Sequence, residues 1–202
     1  MKSRMKVMRV IVLLGVLMAV SCSVLPWVKD VNNIQDWITL PNDGDEFRYS
    51  TRTRYYSDDT WHENAFTIEI TDIENKSDAV LIETRYNDSS DRDYIIIDKE
   101  ENAIAYSEDD YYDEDNDFIA LKTPVSVGND WYNNDYNFTI KEVNAQKDVE
   151  AGIYNDCIVV EYSDSPELGE LWFSPSAGTY IYEEYTNGSG YQYITELERI
   201  RE

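Results

Sequence analysis

From Glu46 onward the chain alternates with a period of two: Phe47, Tyr49, Thr51, Thr53 and Tyr55 share one phase, and Arg48, Arg52 and Arg54 share the other. Successive side chains on a strand point to opposite faces, so this pattern predicts a half-buried strand. The same reading marks residues 65–73 (Phe66, Ile68, Ile70), 80–86 and 94–98, parted by Glu74-Asn75-Lys76-Ser77-Asp78 and Asn87-Asp88-Ser89-Ser90-Asp91. Those separators are turn formers at hairpin length. Further strands are predicted over 103–106, 118–122, 136–143, 157–162, 171–174, 179–185 and 191–198. Asn187-Gly188-Ser189-Gly190 is the sharpest hairpin signal in the chain. Parallel strands need crossover helices, and no long amphipathic stripe supplies them. The expectation for 46–202 is an all-β domain: one antiparallel meander of about ten strands forming a strongly curved sheet, a half-barrel or a barrel.

The first residues follow a different pattern. Lys2, Arg4, Lys6 and Arg9 precede an apolar run from Val10 to Val20 that contains no acid. The run falls short of the roughly 20 apolar residues a spanning helix needs, so 1–21 reads as a secretory signal peptide. Small residues at Ala19 and Ser21 lead directly to Cys22, as in a bacterial lipoprotein signal in which the cysteine is acylated and becomes the new N-terminus. Residues 22–45 then read as a lipidated cysteine and a tether with one short helical turn. Each buried methylene of the acyl chains adds about 0.8 kcal/mol, which places the domain on a membrane outside the cytoplasm without any protein contact.

Charge narrows the partners. The chain has 17 basic and 41 acidic residues, a net of −24, and removing the leader takes four of the bases with it. Nucleic acid is repelled by such a surface, whereas a basic protein, a glycan or a cation remains a candidate partner. Cys157 lies in the apolar run Cys157-Ile158-Val159-Val160, which predicts a buried, inert thiol.

Candidate chemistry is sparse. His62 is the only histidine, and no serine has a Gly-x-Ser-x-Gly setting, so neither a Ser-His-acid nucleophile nor a His/Cys zinc site is supported. Seven of the ten residues from Glu108 to Asp117 are carboxylic. Within that stretch Asp113, Asp115 and Asp117 alternate like the start of a calcium loop, and calcium takes about 6–8 oxygens. Phe118 and Pro124 stand where an EF-hand requires Gly and Glu, so the expectation is at most a looser calcium site, with no other cofactor.

One region carries a resemblance. Thr123-Pro124-Val125-Ser126-Val127-Gly128-Asn129-Asp130-Trp131, then Gly152-Ile153-Tyr154-Asn155-Asp156, then Phe173 to Ile181 with Gly178, resemble a diffuse group of uncharacterised bacterial β-rich lipoproteins and secreted proteins with a Pro-x-x-Val-Gly-x-x-Trp segment. The resemblance implies a β-sheet domain and no particular activity. A looser analogy is to half-barrel lipoprotein carriers of the LolA and LolB kind.

Two functional expectations follow. One is a non-enzymatic, membrane-tethered binding domain that offers its sheet and acidic loops to a partner. The other is a carrier holding a lipid or another apolar ligand inside a curved sheet, which requires a cavity of about 300 Å³ or more. A carboxylate-based hydrolase ranks third and requires a cleft with a desolvated carboxyl.

Overall fold

The computed structural model describes residues 33–201 apart from 57, 88, 89 and 116 and the side chains of 58 and 59; the leader and Cys22 lie outside the described residues. The strands are β1 (Glu46–Tyr55), β2 (Asp58–Asn75), β3 (Ala79–Tyr86), β4 (Arg92–Asp98), β5 (Ala103–Ser107) and β6 (Phe118–Lys122), followed by β7 (Asp130–Asn133), β8 (Tyr136–Val149), β9 (Gly152–Asp164), β10 (Glu167–Ser174), β11 (Thr179–Thr186) and β12 (Gln192–Arg201). All belong to one antiparallel sheet in the order β6-β5-β4-β3-β2-β1-β12-β11-β10-β9-β8-β7. Because β1 pairs with β12, the consecutive strands β6 and β7 become the two edges, and among the described residues the sheet curls into a nearly closed barrel with its seam between them.

The sheet thus has twelve strands where about ten were expected. The four residues of β7 are too few to display a period. Elsewhere bulges reset the phase, between Ile70 and Asp72 in β2 and three times in β8, so the pattern breaks off while the strand continues.

Side chains of β7 close the seam in place of a backbone ladder. Asn129, Trp131 and Asn133 fall on one phase of the strand. Asn129 Nδ2 donates to the Lys122 carbonyl (3.1 Å), and Trp131 Nε1 donates to the Ile119 carbonyl (3.1 Å). Asn133 accepts from the Ile119 amide (2.9 Å) and donates to the Glu114 carbonyl (2.6 Å). An open sheet edge carries unpaired amides and carbonyls, and three of these bonds satisfy the Ile119 amide, the Ile119 carbonyl and the Lys122 carbonyl of β6.

The inward phase forms one continuous core that includes Tyr49, Ile70, Ile82, Ile97, Ile104, Leu121, Phe138, Ile158, Phe173 and Leu197. Each such side chain contributes about 1.5–3 kcal/mol on full burial. Outward residues carry the charge, and Arg48 reaches Glu198 across the β1–β12 pair (2.5 Å).

Strand direction sorts the connections to two ends. The lower end holds the chain entering β1 and the turns after even-numbered strands. It is covered by residues 33–45, the described part of the segment read as a tether. The expected helical turn is present as a 3-10 turn, Ile34–Asp36, capped by Asn33, and Ile34 and Ile38 are buried in the core. The Thr39 amide donates to the Pro175 carbonyl (2.8 Å). Gly178, at φ +70, lets this strand of chain approach: a Cβ there would meet the Thr39 carbonyl oxygen at 2.1 Å.

Candidate functional site

The upper end, which holds the turns after odd-numbered strands, leads into a partly open cavity of about 580 Å³ inside the barrel. Its walls come from strands on both halves of the sheet: Tyr49 on β1, Ile68 on β2, Tyr106 on β5, Phe118 on β6, Leu171 on β10 and Tyr180 on β11 all line it. The cavity exists because aromatic rings meet as planes and edges. Tyr49 stacks on Phe66 (5.0 Å between centroids) and on Tyr180 (4.9 Å), and Tyr106 meets Tyr180 edge-on (5.9 Å). Offset-stacked and edge-on pairs are the favoured arrangements of aromatic rings.

Three polar features lie in this wall. The Tyr49 hydroxyl donates to the Tyr180 carbonyl (3.0 Å) and so accepts from Thr179 Oγ1 (2.9 Å). The Tyr106 hydroxyl is buried near Thr179 yet makes no hydrogen bond of proper geometry. Glu183, on β11, receives the Tyr162 hydroxyl at Oε1 (2.5 Å), and its other oxygen accepts nothing from a described residue. Burial pushes the Glu183 carboxyl above the usual carboxylate range, and the Tyr162 bond opposes that shift only in part. Desolvation likewise pushes the phenols of Tyr106 and Tyr180 up.

The mouth of the cavity is acidic: Asp93, Glu108, Asp109 and Asp117 line it, and no Lys, Arg or His does so among the described residues. Beside it Glu167 accepts the hydroxyls of Tyr185 (2.5 Å) and Tyr136 (2.7 Å), which hold its carboxylate below the usual range.

The acidic stretch 108–117 descends from this mouth along the outside of the barrel. Tyr112 packs on Ala79, Leu81 and Ile96, and Glu114 pairs with Lys122 (3.0 Å). Two of the three residues proposed for calcium serve the loop's own backbone with their carboxylates. Asp117 Oδ2 accepts the Asp113 amide (2.7 Å) and Asp113 Oδ1 accepts the Asp115 amide (3.0 Å). Of the three, Asp117 alone lines the main cavity, while Asp115 faces a smaller polar hollow with Glu114 and Asp135. Among the described residues no group of three or more His, Cys, Asp or Glu side chains converges in a way that would hold a metal ion. Cys157 is buried, with its thiol pushed up to about 11 by desolvation. His62 is exposed, on the protruding β1–β2 hairpin.

Sequence reasoning missed Glu183. A simple period hid it: Tyr180 and Glu183, three residues apart, both line the cavity because the pairing of β11 with β10 skips Ile181.

No family model and no curated protein matches the chain. Its fold is shared with a protein of Bacteroides fragilis NCTC 9343, inferred to be exported and described as having a YmcC-like fold. The two agree with a TM-score of 0.56 at 12% identity, over 82% of this chain and 99% of that one. An inferred lipoprotein of Parabacteroides distasonis ATCC 8503 aligns at a TM-score of 0.42 and 12% identity, over 79% of this chain and 96% of that one.

Proposed function

We propose that this chain is a non-enzymatic binding protein outside the cytoplasm, tethered to a membrane by acyl chains on Cys22, that takes up a small ligand in its barrel. The cavity of about 580 Å³ carries the reading, because it exceeds the size below which a carrier role fails and lies within the range of small-molecule sites. The asymmetry of the two ends supports it: one is covered by Ile34 and Ile38, and the other leads to the cavity. The leader ending at Cys22 supports the location and the anchor, as does the inferred export of the Bacteroides fragilis protein of the same fold. Glu183 is the desolvated carboxyl that a hydrolase would need, and here it is a ligand contact.

The test is intact mass spectrometry of the protein extracted from membranes under conditions that retain small guests. Acylation of Cys22 and a stoichiometric co-purified molecule are expected. Ile68→Trp, which places an indole in the cavity and narrows it, should weaken retention of the guest and leave the acylation. Protein that is unacylated, soluble in the culture medium and empty overturns the proposal.

A further inference from the structure

We propose that the ligand is an organic cation, with an ammonium group held against Glu183 and an apolar body laid along the aromatic wall. This rests on the cavity-binding reading above and names the chemistry the cavity selects.

The argument begins with charge. Five acidic side chains line the cavity, Asp93, Glu108, Asp109, Asp117 and Glu183, against no basic one among the described residues. A fatty acid or phosphate ester would have to carry its negative charge past Asp93, Glu108 and Asp109, exposed at the mouth, towards the carboxyl of Glu183. A hydrocarbon guest would leave the second Glu183 oxygen without a donor, and a neutral polar one would leave the negative charge uncompensated. A cation reverses both penalties.

The geometry around Glu183 fits that guest. Tyr106 and Tyr180 line the cavity together with Glu183, their rings meeting edge-on at 5.9 Å. A carboxylate and aromatic rings in the wall of one cavity favour a substituted ammonium group, since ring quadrupoles and negative charge attract the same ion. The buried, unpartnered hydroxyl of Tyr106 adds a polar contact on the cavity wall. Tyr162 holds Glu183 at one oxygen and leaves the other for the guest.

The experiment compares decyltrimethylammonium, decanol and decanoate by titration calorimetry on the full chain, its Glu183→Gln variant and Ile68→Trp. The wild type should bind the ammonium probe at least about tenfold more tightly than decanol, and bind decanoate weakest. Glu183→Gln should lose that preference while still binding decanol, and Ile68→Trp should bind all three more weakly. Attraction to the acidic surface alone would survive in both variants, and that outcome overturns the proposal. Equal binding of the ammonium probe and decanol, weakened by Ile68→Trp, overturns the cation and leaves the cavity-binding reading standing. Failure of all three probes, together with an empty native protein, removes both.

Discussion

The ring of Tyr162 passes over Gly169 on the neighbouring strand so closely that a methyl on Gly169 would stand 2.0 Å from its Cζ. Glycine therefore makes room for the ring whose hydroxyl holds Glu183. Gly169→Ala must push the ring aside, with an overpacking cost of about 1–3 kcal/mol. Denaturant unfolding should show that loss. A shift of the tyrosine near-ultraviolet dichroism without loss of the strand signal would place the damage at Tyr162.

Glu183 sets a pH dependence whose sign is opposite to that of an ordinary paired carboxylate. Burial raises its folded-state value above the unfolded one, so the folded chain keeps the proton longer. The stability it allows is full below the unfolded value and declines as pH rises through the raised folded value. The groups facing it, Tyr106, Tyr162, Tyr180 and Tyr193, are phenols pushed up by burial and stay neutral across that window. Glu183→Gln should therefore melt above the wild type at neutral pH and converge with it near pH ~3.5, where both forms are uncharged. A constant difference across pH would show that the carboxyl does not titrate as its burial demands.

The seam between β6 and β7 depends on Asn133, which satisfies the Ile119 amide and the Glu114 carbonyl at once. Asn133→Leu keeps the volume and removes both bonds. The expected cost is about 1–3 kcal/mol for the buried Ile119 amide left unpaired, since the exposed Glu114 can turn to water. Hydrogen exchange should accelerate at Ile119 before it does so in β1 or β12, where the ladder is continuous.

Ile34 tests whether the segment leading into β1 belongs to the fold. Its side chain is fully buried, so Ile34→Ala should cost about 2–5 kcal/mol. A change within measurement error would make that segment a mere tether.

The acidic loop is tested with calcium. A site filled at a hundred times its Kd adds about 2.7 kcal/mol. Because the Asp113 and Asp117 carboxylates already accept amides of their own loop, equal melting temperatures in chelator and in excess calcium are expected.

Local pattern alone determined a good part of this protein. Alternation in 46–55 and 80–86, turn formers between the strands and the lack of a helical stripe led to an antiparallel meander, because side-chain direction on a strand depends only on neighbours in the chain. Asn187, whose side chain accepts the amides of Ser189 and Tyr191, organised a hairpin visible in four letters. Tertiary structure decided the rest. Barrel closure depends on β1 meeting β12 and on Asn133 reaching Ile119, contacts between distant segments that no local period encodes. Glu183 looked like one acid among 41, and it acquired its character only when Tyr106, Tyr162, Tyr180 and Tyr193, from four different strands, gathered around it.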